Sequence, residues 1–310
     1  PHTPSAHSCH VDSRENMRHP HPLLLQRATR EGFERSGGNC LREVTLGVMK
    51  IATWNVNSIR SRIPRIADFC RAQEPDVLCM QETKVSDDLF PVEELHALGY
   101  EVIFAGERSY NGVAIASRLP MTLLTCGFDD GGPADAARLI AVEVEPAPDA
   151  SLPIINTYVP QGRTAQHEQF VYKLEWLARL RSFFDAHWSP RARVLWVGDI
   201  NVAPEPIDVY APERRLNDPD FHPDARAAFA ETAAWGFVDC FRQHHPDEVA
   251  YSFFDYREVK SVERNHGWRV DHIMATKPLA KLCTGCWIDM APRLAEKPSD
   301  HTPVVAEFAV

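Results

Sequence analysis

Arg193-Val-Leu-Trp-Val-Gly-Asp-Ile-Asn-Val202 is the stretch from which the fold of this chain can be predicted. Its apolar run, residues 194–197, is typical of a buried β-strand. The run ends at a glycine, and Asp199 and Asn201 follow two residues apart, so they face the same way on an extended backbone. Because a carboxylate at the end of a buried strand must be compensated, the pattern predicts two oxygen-bearing groups presented to one ligand. For a lone Gly-Asp, an aspartate that caps a turn is the favoured alternative.

Other apolar runs in this chain also end in, or are interrupted by, polar side chains. The residues in such positions are Asn55, Glu82, Tyr158, Asp199, Asn201, Asp271 and the pair Asp300-His301. If the strand ends converge, these groups form a site rich in oxygen ligands with one imidazole. No Cys/His cluster occurs among them, which disfavours zinc, whereas carboxylate and amide oxygens suit Mg²⁺ or Mn²⁺. Such a site suits phosphoryl chemistry, in which a metal neutralises the phosphate and a base activates water.

The composition indicates a globular protein and limits the kinds of partner. The chain has 310 residues, of which 44% are hydrophobic, and a formal net charge of −10. This length is sufficient for one large two-layer domain or two small ones. The acidic balance argues against a protein that simply coats nucleic acid, but it does not exclude nucleic acid as a substrate. No apolar run is long enough to span a bilayer.

The eight cysteines are scattered, and several lie inside apolar runs. We expect them to be reduced thiols in a reducing cytosol. Only Cys283 and Cys286 have a spacing typical of metal or redox motifs, and they lack a second pair.

Residues 1–48 differ from the rest of the chain, with a Pro/His cluster and little periodicity. We expect them to be a disordered or non-native N-terminal extension, followed by one catalytic domain over residues 49–310.

Within residues 49–310, short strands alternate with a few helices. Periodicity predicts helices at 60–73, 91–98, 166–186 and 224–236, and strands at 51–55, 77–80, 100–104, 112–117, 137–145, 154–158, 194–197, 238–241, 268–274 and 304–308. This order predicts an α+β fold, a four-layer α/β sandwich in which two mostly antiparallel sheets pack face to face with helices outside.

The chain resembles the exonuclease III / apurinic-apyrimidinic (AP) endonuclease family, within the endonuclease–exonuclease–phosphatase superfamily. The matching segments keep the family order; they are Trp54-Asn-Val-Asn-Ser-Ile-Arg60, Leu78-Cys-Met-Gln-Glu-Thr-Lys84, Tyr110-Asn-Gly-Val113, Asn156-Thr-Tyr-Val-Pro-Gln-Gly162, Gly198-Asp-Ile-Asn201, Phe253-Phe-Asp-Tyr-Arg257, Gly267-Trp-Arg-Val-Asp271 and Lys297-Pro-Ser-Asp-His301. Each motif is weak alone, but eight in order over 49–310 are specific.

The resemblance implies a Mg²⁺-dependent DNA repair nuclease, with Mn²⁺ as a substitute, that incises 5′ to abasic sites and removes 3′ nucleotides or 3′ blocking groups. Glu82 would be the principal metal ligand, with Asn55 and Asp300 close by. Asp199 would orient or deprotonate the attacking water, or protonate the leaving group. Asn201 would position the nucleophile. His301, held by Asp271, would bind the scissile phosphate, and Tyr158 would contact the same phosphate. The candidate metal ligands also include Asp199, Asn201 and His301.

The resemblance also implies a surface for damaged duplex DNA. Lys84 and Arg138 would lie near the DNA backbone, and Tyr110 would insert against the duplex. Phe253, Trp268 and Val270 match the apolar pocket that admits a flipped-out, base-free sugar. Gln161 stands where relatives have Gln or Asn, and the position of Phe253 can be Trp or Phe, so the balance between abasic-site incision and 3′-exonuclease action stays open.

Each of these residues has a simpler structural alternative when it is taken alone. Asn55 could cap the following helix, Asp271 could pair with Arg269, and His301 could be a satisfied core histidine. Glu82 could lie on the surface, Tyr158 could be half buried in the sheet, and Trp268 and Phe253 could be core aromatics. That all of them are structural, in this order, is improbable.

Two other functions compete with a repair nuclease. A phosphatase acting on lipid or small phosphoesters is disfavoured by the aromatic pocket residues and Tyr110. A non-catalytic damage-binding module would have lost part of the polar set, and none of it is missing. We therefore expect a monomeric enzyme that acts on double-stranded DNA with abasic sites or 3′ ends, has no membrane partner and is cytoplasmic and nucleoid-associated in a bacterium.

Overall fold

A computed structural model of the chain describes residues 10–11, 47–147 and 150–309. In chain order the elements are β1 (His10–Val11), β2 (Val48–Asn55), α1 (Ile59–Gln73), β3 (Val77–Gln81), α2 (Val92–His96), β4 (Glu101–Ala105), β5 (Val113–Ser117), β6 (Met121–Cys126), β7 (Leu139–Ala147), β8 (Ala150–Tyr158), α3 (Glu168–His187), β9 (Leu195–Asp199), α4 (Pro223–Ala233), β10 (Phe237–Asp239), α5 (Cys240–His244), β11 (Asp271–Thr276), α6 (Lys277–Ala280), β12 (Cys283–Ile288), α7 (Ala291–Leu294) and β13 (Val304–Ala309). Short 3₁₀ helices cover Asp87–Leu89, Pro206–Asp208 and Pro212–Arg214.

The strands form two mixed, mostly antiparallel sheets. The first sheet has the order β1-β4-β5-β3-β2-β13-β12, and the second has the order β10-β11-β9-β8-β7-β6. Among the described strands, only β2 with β3 and β8 with β9 run parallel. Each parallel pair is connected by a helix, α1 in the first sheet and α3 in the second, as the right-handed crossover of a βαβ unit requires.

Alternation along the strands creates the layers. In β9, Leu195 and Val197 point into the apolar core between the sheets, while Trp196 points outward into a second core against α3 and α4. A third core lies on the outer face of the first sheet, where α1 and α2 cover residues such as Trp54. The predicted four-layer α/β sandwich is confirmed.

The strand directions bring the polar ends to one edge. β2 and β3 end at Asn55 and Gln81, and β8 and β9 end at Tyr158 and Asp199. The antiparallel neighbours begin at the same edge, because Asp271 at the start of β11 pairs with Asp199. Parallel strands therefore deliver their last residues, and antiparallel strands their first, to one rim.

A buried amide pair connects the two sheets just beneath this rim. Gln81 donates from Nε2 to Asn156 Oδ1 at 2.7 Å, and Asn156 donates from Nδ2 to the carbonyls of Met80 and Ala114 at 3.0 Å. Both amides are 0% exposed. Because an unpaired amide in this core is unfavourable, the bonds favour one alignment of the sheets.

Gly198 allows β9 to approach β8 closely. A Cβ built at this residue would lie 1.9 Å from the carbonyl oxygen of Thr157, and its φ is +139°. Any side chain would collide with the neighbouring backbone, so the glycine that precedes Asp199 is a geometric requirement.

Two predicted strands end or begin at other residues than expected. The prediction of 238–241 as extended is wrong at its end, because β10 stops at Asp239, whose side chain accepts a hydrogen bond from Arg242 N and caps α5. Asp271 begins β11 instead of lying in the middle of a strand. Residues 268–270 bond instead to loops: Trp268 N donates to Phe253 O, and Arg269 N to Asp208 O.

Most of the expected N-terminal extension, residues 1–48, lies outside the described residues. Within it, His10 and Val11 pair antiparallel with Phe104 and Ile103, and Val48 already pairs with Ala309. In the described part of the chain, no helix is long and apolar enough to cross a membrane.

The cysteines are not all reduced, contrary to expectation. Cys70, Cys79, Cys240, Cys283 and Cys286 are free and buried. Cys126 is disulfide-bonded, so the prediction of a reduced thiol is wrong at this residue.

Candidate active site

Three side chains at the shared rim approach one another closely enough to hold one cation. An oxygen of Glu82, an oxygen of Asp199 and a ring nitrogen of His301 all lie within 4.8 Å of one another. Asp199 is 1% exposed and His301 is 5% exposed. Two carboxylates so close in a buried site repel each other unless a cation or a proton lies between them, so the arrangement favours cation binding.

Asn55 joins the two carboxylates. Its Nδ2 donates to Glu82 Oε1 at 2.7 Å and to Asp199 Oδ2 at 2.8 Å, while its Oδ1 accepts from Asn57 N at 3.0 Å. The alternative of a helix cap does not hold, because the N-cap of α1 is Ser58. In this arrangement the amide nitrogen of Asn55 neutralises part of the charge of the pair.

Lys84 and Asn57 extend the polar network to Asp300. The Nζ of Lys84 lies 2.5 Å from Glu82 Oε2 and donates to Asn57 Oδ1 at 2.7 Å, and Asn57 donates from Nδ2 to Asp300 Oδ1 at 2.8 Å. Burial opposes ionisation of Glu82, but Lys84 and Asn55 outweigh it and hold the pKa of this carboxyl below its usual range. Glu82 is therefore an anion, as a carboxylate that binds a metal must be. Asp300 borders the cluster through Asn57.

His301 and Asp271 form a buried imidazole–carboxylate pair. The distance between His301 Nδ1 and Asp271 Oδ2 is 2.8 Å, and His301 Nε2 lies 3.8 Å from Asp199 Oδ2. Burial lowers the pKa of His301, but Asp271 and Asp199 outweigh it and raise the pKa to about 10. The imidazole is therefore cationic at neutral pH, with Nε2 directed toward the cluster. The alternative pairing of Asp271 with Arg269 does not occur, because Arg269 bonds Asp208 and Asp239.

Asp199 is an ionisable group in an unusually dry position. Burial raises its pKa well above the usual value, Asp271 and Glu82 raise it further, and His301 opposes the shift. Its Oδ1 accepts from the backbone N of Asn201 at 3.0 Å. A buried carboxylate with a raised pKa is a stronger base than an exposed one, and this suits proton abstraction.

Three residues in or next to the cluster adopt the left-handed backbone conformation, which is uncommon outside glycine. The φ angles are +50° at Glu82, +53° at Lys84 and +52° at Asn201. Asn201 donates from Nδ2 to Val159 O at 2.9 Å, which turns its other amide end toward the cavity. Such conformations persist only where surrounding contacts hold them, and they are concentrated at functional sites.

Tyr158 stands beside the two carboxylates, and Arg138 packs behind it. Burial raises the pKa of Tyr158 well above its usual value, and Glu82 and Asp199 add to the shift. The phenol is therefore a proton donor. The guanidinium of Arg138 lies 4.9 Å from the Tyr158 ring and donates to Tyr158 O at 3.2 Å, so Arg138 supports this tyrosine instead of lining the cavity.

Glu82 and His301 of the cluster line a cavity of about 630 Å³, and the buried Asp199 lies directly behind them. Phe253, Trp268 and Val270 line it together with Gln161, as the resemblance implied. The Phe253 ring lies 4.7 Å from the His301 ring, so the apolar wall touches the catalytic floor. An apolar wall next to a charged floor selects a ligand with an apolar face and an anionic group.

The outer wall of the cavity contains residues that the sequence patterns did not reveal. The guanidinium of Arg215 lies 4.3 Å from the ring of Tyr210 and 5.6 Å from that of Trp268. Tyr210 stacks on His266 with ring centroids 4.4 Å apart. No motif includes Arg215 or Tyr210, because their loop meets Trp268 only in the folded chain.

A second depression beside the cluster is cationic. Its lining includes Arg60, Lys84 and Arg108 with four serines and no carboxylate. Tyr110, next to this depression in sequence, is 69% exposed. Arg60 and Arg108, with the surrounding hydroxyl groups, are suited to contacts with phosphates, whereas Lys84 is already paired with Glu82.

A comparison with known protein families identifies the family of this chain. The model of the endonuclease/exonuclease/phosphatase family matches residues 52–301. The chain belongs to this family. The match includes every residue of the cation cluster, from Glu82 to His301. It also confirms the resemblance inferred from the motifs.

Relatives within the family are repair nucleases. Exodeoxyribonuclease III of Haemophilus influenzae is 32% identical over 268 residues, which are 84% of this chain and 100% of that protein. An AP endonuclease from Archaeoglobus fulgidus has a solved structure with a TM-score of 0.81 and 47% identity, covering 84% of this chain and 100% of that one. A 3′ phosphatase from Neisseria, solved with a product DNA hairpin, has a TM-score of 0.79 and 33% identity over 84% and 99% of the two chains.

The residues present in this family member fit a hard divalent cation. Glu82 and Asp199 supply two carboxylates within reach of one point, while the protonated ring of His301 beside them has no lone pair free to bind a metal. The buried Oδ1 of Asp271 has no hydrogen-bond partner among the described residues, so the site carries more negative charge than its protein donors satisfy. Oxygen-rich donors with excess negative charge suit Mg²⁺ or Mn²⁺.

Proposed function

We propose that this protein is a Mg²⁺-dependent DNA repair nuclease that incises duplex DNA 5′ to abasic sites and removes 3′ nucleotides or 3′ blocking groups. The observation that carries the proposal is the cluster of Glu82, Asp199 and His301 at the floor of a cavity with an apolar wall. Phosphodiester hydrolysis needs a base, a cationic phosphate contact and a charge-neutralising ion at one point, and this rim combines them.

The residues of the chain divide the chemistry among them. Asp199 takes the proton of the attacking water, because its burial makes it the most basic carboxylate of the cluster. The His301 imidazolium, held by Asp271, binds the scissile phosphate and stabilises the charge that develops on it. Tyr158 donates its phenolic proton to the same phosphate. Asn201, with its free amide end facing the cavity, positions the water.

Several residues of this site would bind the metal cofactor. Glu82 would be the principal ligand, with Asp199 within reach and Asn55 and Asp300 bordering them. When bound, Mg²⁺ supplies Lewis-acid neutralisation of the phosphate and of the leaving oxygen. Mn²⁺ has similar preferences and would substitute.

The cavity wall supports the choice of an abasic sugar. Phe253, Trp268 and Val270 offer apolar surface beside His301, where a flipped-out sugar without a base could pack. Duplex DNA on either side would meet the cationic depression of Arg60, Lys84 and Arg108.

One incubation tests this function. A duplex with a single tetrahydrofuran abasic analogue, labelled at the 5′ end, is incubated with the protein in Mg²⁺, in Mn²⁺ and in EDTA. We expect a cut immediately 5′ to the analogue that leaves a 3′ hydroxyl, with Mg²⁺ or Mn²⁺ and not with EDTA. The matched control is the same duplex with a normal base pair, and Glu82→Gln is the inactive enzyme control. A cut 3′ to the analogue, or full activity in EDTA, would contradict the proposal.

A second pair of substrates tests the action on 3′ ends. One is a recessed duplex with a 3′ hydroxyl, and the other carries a 3′ phosphate. We expect the enzyme to shorten the first and to release phosphate from the second, because both place a phosphoester over the same cluster. Loss of both activities in Glu82→Gln assigns them to one site, and survival of either would assign it to another.

We further propose that the enzyme acts as a monomer on DNA in the cytoplasm of a bacterium, at the nucleoid. Light scattering behind size exclusion should give a mass near 35.0 kDa; a stable dimer would contradict the monomer.

A further inference from the structure

A lysine lies fully buried beneath the candidate active site. Lys173, in α3, is 0% exposed, and its Nζ lies within hydrogen-bonding distance of four oxygens. These are Asn201 O at 2.5 Å, Asp220 Oδ1 at 2.9 Å, Pro219 O at 3.1 Å and Gln161 O at 3.2 Å. An ammonium has three protons, so this cation has more acceptors than donors.

The four acceptors belong to three separate segments that meet around the cavity. Gln161 lies in the loop after β8, Asn201 follows β9, and Pro219 and Asp220 lie in the loop before α4. All four residues line the cavity. Lys173 does not line the cavity itself. Its ammonium binds backbone and side-chain oxygens of the three segments that form the cavity wall.

The packing around the stem of Lys173 is equally close. A Cβ added at Gly162 would lie 3.1 Å from Pro219 Cβ, 3.3 Å from the Phe170 ring and 3.4 Å from Lys173 Cδ, and its φ is +97°. The loop after β8 therefore requires a glycine in order to lie against the lysine. Gln161 Nε2 in turn donates to Asp220 Oδ2 at 3.0 Å, which closes the ring of contacts above the ammonium.

The contact with Asn201 bears most directly on the chemistry. Asn201 has a left-handed backbone, its N–H bonds Asp199 and its side-chain amide bonds Val159 O. The Lys173 ammonium fixes the remaining backbone group, the carbonyl oxygen. Because the N–H, the carbonyl and the amide nitrogen of Asn201 are all hydrogen-bonded, its amide oxygen points into the cavity.

We infer that Lys173 is a positioning residue of the nuclease, which sets the orientation of Asn201 and of the loops at 161 and 219–220 toward the scissile phosphate. This inference rests on the nuclease function proposed above. Lys173 touches no substrate and acts through the backbone oxygens that it binds. A displacement of about 1 Å in a catalytic group can lower turnover by about 100-fold, so loss of the ammonium should act mainly on kcat.

The test replaces Lys173 by methionine, which keeps an unbranched stem and removes the charge and all donors. We expect kcat on the DNA that the wild type cuts to fall about 10- to 100-fold. The affinity for duplex in EDTA should change by less than about threefold, since the phosphate contacts lie elsewhere. Both values are referred to folded enzyme, measured by cooperative thermal unfolding of the same samples.

Thr232→Val is the matched control for a purely structural role. Thr232 is buried on α4 and bonds Leu177 O in α3 at 3.2 Å, so it joins the same helix without reaching the cavity. We expect this variant to lose stability and to keep its kcat. Equal losses of kcat in both variants, in proportion to the stability lost, would overturn the positioning role.

A further variant covers a failure to fold. Lys173→Gln keeps an amide with two donors on a shorter stem. If the methionine variant does not fold, the glutamine variant should fold and show the kcat loss, and a failure of both to fold would assign Lys173 to stability alone and overturn the inference. If the wild type itself cuts no DNA, the proposed function fails, whereas active wild type with equally active variants refutes only the role of Lys173.

Discussion

Asp199 shows how the position of a single residue determines its chemistry. On the surface this carboxylate would be a weak base, but here it is 1% exposed, beside Glu82 and Asp271. Its burial is tolerated because Asn55, Asn201 N and the His301 imidazolium lie around it. The same contacts that stabilise the charge hold it next to Glu82 and His301.

Substitution of Asp199 by asparagine should separate catalysis from binding. The amide is nearly isosteric but cannot accept the proton of the attacking water, so we expect kcat to fall by about 10²- to 10⁴-fold. Binding of an abasic duplex in EDTA, measured by fluorescence anisotropy, should persist or become tighter, because one negative charge is removed. Glu145→Asn, on an exposed part of β7, is the control. Loss of binding with unchanged turnover of bound DNA would argue against the role of Asp199 as base.

Asp271 should set the alkaline limit of activity through His301. Burial lowers the pKa of His301, but the carboxylates of Asp271 and Asp199 outweigh it and raise the pKa to about 10, so the imidazolium that we propose as the phosphate contact persists at alkaline pH. Asp271→Asn removes the first of these carboxylates and lowers that pKa. The alkaline limb of the kcat profile should therefore move to lower pH, which stopped assays across a pH series will measure. A shift to higher pH, or none at all, would show that His301 does not act as the cation.

At the scale of elements, a buried ion network attaches β11 to its neighbours. Arg269, just before β11, bonds Asp208 Oδ1 and Asp239 Oδ2, both at 2.7 Å. Asp208 belongs to a 3₁₀ helix in the cavity loop, and Asp239 ends β10 and caps α5. The network therefore holds the start of β11, and with it Asp271, against two loops.

Asp239→Asn should destabilise the fold in a pH-dependent manner. Burial raises the pKa of Asp239, but Arg269 and His272 outweigh it and lower the pKa below its unfolded value. Such a group contributes stability above about pH 3.9, and the contribution is lost as the pH falls toward the folded pKa. We expect a loss of about 3 kcal/mol at pH 7, and a smaller difference at pH 3. Urea unfolding at both values measures it.

The control for this prediction is Asp68→Asn, since Asp68 pairs with Arg65 at the surface and is 60% exposed in its side chain. We expect a change below about 0.5 kcal/mol there. A difference between wild type and Asp239→Asn that grows on acidification would mean that the sign of the Asp239 shift is wrong.

The elements show which patterns can be read from a single sequence. The long helices α1 and α3 agree with their predicted spans to within two residues, because apolar periodicity over many turns averages out local exceptions. Periodicity predicts neither β6 nor β12. β6 is half exposed along its length and β12 carries a register shift near Gly285, so neither shows a clean period.

On the scale of the molecule, charge is distributed unevenly. The net charge is −10, yet the depression of Arg60, Lys84 and Arg108 contains no carboxylate. Excess acids elsewhere repel DNA from other faces and leave this surface as the favourable approach.

Arg108→Ala should weaken duplex binding in a salt-dependent way. Arg108 is exposed in the cationic depression, and a variant without this guanidinium neutralises one phosphate fewer, so fewer counterions are released on binding. We expect the slope of log affinity against log salt concentration to decrease in magnitude by about 1, with the same change for any sequence. Arg191→Ala is the control, because Arg191 is exposed just before β9, at the end of that strand opposite Asp199. An equal decrease in both variants would place the DNA elsewhere.

Removal of residues 1–46 should leave catalysis intact. Every residue that lines the cavity lies between Glu82 and His301, and β2 begins at Val48. We therefore expect kcat on an abasic duplex to change by less than about twofold. A decrease in kcat much larger than this would assign part of the site to the N-terminal segment.

The sequence by itself determined the family, the layers and most of the polar site. Glu82, Asp199 and His301 follow or precede apolar strands in a fixed order, and each pattern is local enough to recognise without coordinates. Strand direction then requires these ends to meet, which the shared rim of the two sheets confirms.

Only the tertiary structure decided which neighbours these groups have. Lys173 is recognisable in sequence as a lysine at a helical spacing from Phe170, Trp176 and Leu177, yet its four oxygen partners come from three loops, two of them far along the chain. The same holds for Arg215 against Trp268 and for Arg269 with its two aspartates. The free energy of a buried charge depends on contacts across these distances, and those contacts exist only once the chain has folded.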